Sequence, residues 1–274
     1  MPMKQKARWG ARALAGSVAS LAACCALSAP AAAASAGYTV AICEDENEWP
    51  PYSYFLRHEG KKTGQVTGFA VDVIGDILNR HQIVHSITMI PWARCLAVAQ
   101  LGERFQMVLN LSASPERQAV FLLSRPYYTL ASYYYYSRRH HPNGLNVKTV
   151  ADLKKYRICG IFGYNYAAFG FAPGEVDDGT KDFGALIAKL HIDRCSAFVE
   201  HENVMKGFAL IGKDYLSDPD IGKAPIPGRP AGAFRFGVSR KFAHAQELHA
   251  LIETELAHME ESGRLRELWT KYDR

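Results

Sequence analysis

The stretch that decides the fold runs from Thr39-Val40-Ala41-Ile42-Cys43 through Gly68-Phe69-Ala70-Val71-Asp72-Val73-Ile74-Gly75-Asp76-Ile77-Leu78 to Phe105-Gln106-Met107-Val108-Leu109-Asn110-Leu111. Residues 38–43 are β-prone and apolar. Phe69, Val73, Ile74 and Ile77 then recur at helical spacing, which predicts a helix over 69–80 with one face on a sheet. A strand over 86–90 follows, then a helix opened by Pro91 with Trp92, Cys95, Leu96 and Ala99 on one side, and a buried strand over 105–111. Strand, helix, strand, helix, strand in this order is the pattern of α/β layers with a largely parallel sheet.

Working outward, Ser114-Pro115-Glu116-Arg117 reads as a helix start, with Ser114 as N-cap and Pro115 in the first helical position. Residues 127–137 are again β-prone, and the polar stretch 138–146 reads as a passage between two lobes. A second α/β set follows: a helix over 149–155, a strand over 156–162, a turn at Gly163, a helix over 181–190 and a strand over 197–200. Residues 219–232, with four prolines and three glycines, read as loop. An apolar strand over 233–239 and two C-terminal helices, the first striped by Leu248, Leu251, Ile252 and Met259, complete the chain.

The chain has 274 residues, 48% hydrophobic and 22% charged, the balance of an ordinary globular protein. Its formal charge of +5 comes from 32 basic against 27 acidic residues, but Lys4, Lys6, Arg8 and Arg12 belong to a basic, Ala-rich start without acidic residues. Setting those aside leaves 28 against 27. No basic surplus remains to neutralise phosphates, so a nucleic-acid partner is not expected. Residues 1–36 have the three parts of a secretory signal peptide, with small residues Ala34-Ser35-Ala36 at the end. Export to the periplasm is therefore expected. Within that leader, Leu21-Ala22-Ala23-Cys24 also matches a lipobox, in which Cys24 would carry lipid. Beyond the leader stand Cys43, Cys95, Cys159 and Cys195, an even number in an oxidising compartment, with three pairings open and no zinc spacing. Neither a metal nor a cofactor is expected. The chain lacks GxSxG, HExxH and Walker A motifs, and the reading is that of a non-enzyme.

Four segments carry a resemblance. Pro50-Pro51-Tyr52-Ser53-Tyr54, Gly68-Phe69-Ala70-Val71-Asp72-Val73, Ser112-Ala113-Ser114-Pro115-Glu116-Arg117 and Ser124-Arg125-Pro126-Tyr127, together with the closing Glu261-Ser262-Gly263-Arg264-Leu265, resemble the bacterial extracellular solute-binding proteins of family 3. These are the polar amino-acid binding components of ABC transporters. The resemblance implies a type II periplasmic binding fold of two α/β lobes joined by two hinge strands. Lobe 1 would be 37–130 plus 236–274, and lobe 2 would be 131–235. It implies a monomer that clamps a small polar solute and delivers it to a permease of the inner membrane. The other readings it leaves are an orphan or sensory binding module and, less favoured, a dehydratase-like enzyme.

The same resemblance assigns a ligand set. Arg117 would grip a carboxylate, since a guanidinium presents a fork of that geometry. Asn110, Ser112 and Ser114 would add hydrogen bonds, and Tyr52 and Trp92 aromatic walls. On lobe 2, Gly163, Tyr164 and Asn165 would supply backbone donors where relatives carry a hydroxyl, and Asp214 would accept an ammonium. Pairing of Cys43 with Cys95 and of Cys159 with Cys195, each within one lobe, would leave hinge motion free.

Overall fold

The computed structural model of the protein describes residues 1–3 and 37–273. Residues 4–36, which hold most of the expected leader and Cys24, lie outside the described residues. The chain enters with β1 (Val40–Asp45), a hairpin of β2 (Tyr54–His58) and β3 (Lys61–Thr67), α1 (Phe69–Arg80), β4 (His85–Ile90), α2 (Trp92–Ala99), β5 (Met107–Ser112), α3 (Pro115–Val120), β6 (Phe121–Leu123) and β7 (Tyr128–Leu130). A second set follows with β8 (Ser132–Ser137), α4 (Val150–Leu153), β9 (Ile158–Ile161), β10 (Asp177–Thr180), α5 (Phe183–His191), β11 (Ala197–His201), α6 (Glu202–Gly207) and β12 (Ile221–Pro225). The last elements are β13 (Gly232–Ser239), α7 (Ala245–Glu261) and α8 (Arg264–Trp269).

Lobe 1 is built on the sheet β4-β1-β5-β13-β6, with β7 also on β13, and lobe 2 on the sheet β10-β9-β11-β8-β12. β1 lies between β4 and β5 and is parallel to both. Every residue of β5 is buried, as expected of a strand covered on both faces. The α1 stripe lies against this sheet with Val73, Ile74 and Ile77 fully buried and Phe69 nearly so. Each such burial is worth about 1.5–3 kcal/mol, far more than the intrinsic propensity of the helix. Pro91 precedes α2, and the Ser114 hydroxyl accepts from the Arg117 backbone N–H at the start of α3.

The chain crosses between lobes twice. β7 pairs with β13 in the lobe 1 sheet, while β8, one residue further on, pairs with β11 and β12 in the lobe 2 sheet. The first crossing is therefore at Ala131 and not in the polar stretch 138–146, because Tyr133–Tyr136 already sit in the second sheet. The return lies between β12 and β13. The expected change of lobe at 235/236 falls inside β13, which is continuous from Gly232. β12 also corrects the reading of 219–232 as loop. It is an edge strand, where Pro225 at its end costs little, and Gly222 lies against the ring of Tyr136, where a Cβ would not fit.

Both disulfides lie within a lobe. Cys43 of β1 joins Cys95 of α2, with Cα atoms 5.6 Å apart, and Cys159 of β9 joins Cys195 just before β11, with Cα atoms 5.7 Å apart. No helix among the described residues is long and apolar enough to cross a membrane.

Candidate functional site

The carboxyl ends of β1 and β5 in lobe 1 face those of β9 and β11 in lobe 2, where open α/β sheets place ligands. Between them is a cleft of about 510 Å³, its open mouth included. Lobe 1 contributes Glu44, Asp45, Trp49, Trp92, Asn110, Ser112, Arg117 and Phe234; lobe 2 contributes Tyr164, Asn165, Ala168, Phe169, Glu200 and His201.

Arg117 projects from the first turn of α3. Its Nη1 donates to the Ser112 carbonyl (3.0 Å) and hydroxyl (2.9 Å), and its Nη2 to the Gly163 carbonyl of lobe 2 (3.3 Å). The guanidinium carbon stands 5.9 Å from the Trp92 ring centroid. Burial lowers its pKa to about 10, so it stays charged at neutral pH. Among the described residues it has no carboxylate partner, and its three bonds do not use all of its donors.

Asn110 has a φ of 42°, a left-handed value that Asn tolerates better than most residues, opposite an irregularity in the pairing of β5 with β13. Its amide is held on every side. Nδ2 donates to Glu44 Oε2 (2.9 Å) and Ser53 Oγ (2.9 Å), while Oδ1 accepts from Tyr127 (3.0 Å) and Tyr128 (2.8 Å). Ser53 Oγ also donates to Glu44 Oε2 (2.6 Å). Burial raises Glu44 to about 7 and Asp45 to about 6.

From lobe 2, the Tyr164 hydroxyl reaches across to Asp45 Oδ2 (2.8 Å), and Asn165 Nδ2 donates to Ser112 Oγ and the Ala113 carbonyl, both at 3.1 Å. Asn47 of lobe 1 returns a bond to the Lys181 carbonyl (2.7 Å). Gly207, at the end of α6, meets the backbone of Pro50 so closely that a Cβ there would overlap its carbonyl. The lobes are thus closed on one another. Glu200 is 2% exposed and pushed up to about 8 by burial, although one oxygen accepts from the His201 backbone N–H (2.6 Å). His201 is pushed down to about 4 by burial and is neutral at pH 7. Its Nδ1 lies 3.3 Å from the carbonyl of Ala131, at the first crossing.

The structure brings Arg117, Asn110, Ser112, Trp92, Tyr164 and Asn165 into the cleft. The Gly163 carbonyl accepts from Arg117. Ser114 serves as the α3 cap. Tyr52 lies beneath the cleft, 1% exposed and stacked on Tyr128 (ring centroids 4.1 Å apart) and Trp269 (5.7 Å), because its loop folds back onto the C-terminal helices. Asp214 is exposed and caps a short turn by accepting from the Ser217 backbone N–H (3.2 Å). Glu200, near the end of β11, lines the cleft, and Asp214 does not. Glu44, Asp45, Trp49, Phe169, His201 and Phe234 were not singled out by sequence. A carboxylate at a strand's carboxyl end was the one available signal, and both β1 and β11 end on several polar residues.

Two α/β lobes on two crossing strands, closed over a polar cleft at the strand ends, define the type II periplasmic binding class. Residues 40–273 match the bacterial extracellular solute-binding proteins, family 3, and the chain belongs to that family. No curated protein sequence matches it. Among solved structures, the substrate binding protein of an amino acid ABC transporter is similar with a TM-score of 0.66 and 18% identity over 86% of this chain and 99% of that one. AbpA from Streptococcus pneumoniae, solved bound to L-arginine, gives 0.65 and 20% over 86% and 94%. The arginine-, lysine-, histidine-binding protein ArtJ from Geobacillus stearothermophilus gives 0.64 and 17% over 86% and 95%. At these identities the likeness is one of fold.

Proposed function

We propose that the protein captures an α-amino acid or a close relative in the interlobe cleft, as a periplasmic monomer, and delivers it unchanged to an ABC permease of the inner membrane. The observation that carries this reading is a guanidinium and a carboxyl group on facing lobes of one desolvated cleft. Arg117 on lobe 1 offers unused guanidinium donors to a carboxylate, and Glu200 on lobe 2 offers an acceptor to an ammonium. A zwitterion bridges the two only when the lobes are closed, so binding favours closure. Closed lobes are the shape a permease would recognise. The fold shared with AbpA and ArtJ supports an amino-acid ligand.

Calorimetric titration of the mature chain with the common amino acids tests this. One-site binding of at least one of them is expected, with the solute recovered unchanged. Absence of binding across the panel, or chemical conversion of a bound solute, would overturn it.

A further inference from the structure

Residues 45–50 follow β1 as a tight turn that meets lobe 2 at several points. Asp45 accepts from Tyr164, Asn47 donates to the Lys181 carbonyl, and the Pro50 backbone abuts Gly207. The Trp49 ring stands edge-on to Tyr164 and His201, with centroids 5.6 and 6.3 Å apart. Hydrogen bonds weaken steeply with distance and angle, so these contacts form together only while the turn keeps one shape. Glu48 sits in the middle of it with a φ of 69°, a left-handed value that a residue with a Cβ holds only where its surroundings impose it.

What imposes it is the hairpin of β2 and β3. Glu48 is 1% exposed, and its carboxylate is filled from that hairpin. Oε1 accepts from Arg57 Nη1 (2.8 Å) and from the Phe55 backbone N–H (2.9 Å), while Oε2 accepts from Arg57 Nη2 (2.8 Å) and lies 3.2 Å from Lys62 Nζ. Both arms of the Arg57 fork are engaged, which fixes direction as well as charge. The pairing of β2 with β3 is irregular between Phe55 and Arg57, and such irregularities re-aim side chains. The hairpin belongs to neither main sheet, and none of its residues lines the cleft. A two-stranded hairpin is marginal by itself. Its grip is on the closing edge of lobe 1.

We propose that Glu48, clasped by Arg57, is a positioning residue for the closed cleft: it fixes the turn 45–50 in the shape that meets lobe 2, and so sets how long a captured solute is retained. This rests on the reading of the cleft as one that closes over an amino acid. The test is stopped-flow tryptophan fluorescence, with Trp49 and Trp92 of the cleft as reporters, on the wild-type protein, Glu48→Gln and Arg57→Lys. The probes are those common amino acids that the wild type binds in calorimetric titration. Association should keep its wild-type rate constant, since Arg117 and Ser112 lie outside the turn. Dissociation should quicken by about 3- to 10-fold, the worth of a hydrogen bond lost from the closed form. A merely structural ion pair would lower the melting temperature and the signal amplitude but leave both rate constants of the folded protein unchanged, and that result would overturn the proposal while leaving the amino-acid site intact. Weakening carried by slower association alone would overturn it equally. If the wild type binds no amino acid, the reading of the site fails, and this proposal with it. Should Glu48→Gln not fold, as judged by circular dichroism, Arg57→Lys decides, because it keeps the charge and removes the fork.

Discussion

In lobe 1 the polar side chains of the cleft are held by one another. Glu44, Ser53, Asn110, Tyr127 and Tyr128 form one hydrogen-bonded network, and Arg117 leans on Ser112 of the strand beside it. In lobe 2 the matching side chains complete their bonds on the other lobe: Tyr164 on Asp45, Asn165 on Ser112 and Ala113. Opening the hinge would leave the first set intact and dissolve the second. Lobe 1 would thus act as a preformed landing surface, and lobe 2 would sense that closure has occurred.

The lobes can be separated most strongly through their disulfides. Cys43→Ser with Cys95→Ser should cost up to about 4 kcal/mol of stability in chemical denaturation, by the loop-closure argument. Cys159→Ser with Cys195→Ser should cost slightly less, since its sequence separation is 36 and not 52. Next is Arg117→Ala, which should weaken binding by about 3 kcal/mol, because a solute carboxylate would lose its charged partner in a desolvated site. Unchanged calorimetric affinity would break the picture of lobe 1 as the landing surface.

The third effect is on pH. Burial holds protons on Glu200, up to about 8, and on Glu44, up to about 7, that the unfolded chain releases near its ordinary value of 4.5. The folded state then binds more protons than the unfolded one, and stability falls as pH rises through that range. His201, pushed down to about 4, works in the opposite sense below its ordinary value of 6.5. Between about pH 6.5 and 8 the acids act alone, and the solute-free protein should lose about 2 kcal/mol through Glu200. Denaturant titrations across that window check the slope, and Glu200→Gln should flatten it. The smallest effect is expected of Tyr164→Phe, which removes one bond across the cleft, about 1 kcal/mol, and shifts the population toward open forms. Solution scattering should show a larger radius without solute; an unchanged radius would deny lobe 2 its sensing role.

Much of this fold is legible locally. The α1 stripe, the proline before α2 and the Ser114 cap are each decided by neighbours within a few residues, and they appear where periodicity and capping chemistry put them. What escaped is decided by partners far along the chain. Tyr52 is withdrawn from the cleft by Trp269, over two hundred positions away in sequence. Glu200, and not Asp214, lines the cleft because β11 pairs with β8 in a register that sets Glu200 opposite Tyr133. β12 reads as loop because the ring that makes room for Gly222 belongs to β8.

The contact of Gly207 with Pro50 bears on how such a clamp can change its cargo. Main chain stops main chain there, with no side chain between to be trimmed or enlarged. The final angle of the bite is therefore fixed by the scaffold, and a bulkier or slimmer guest has to be accommodated by re-carving the lining.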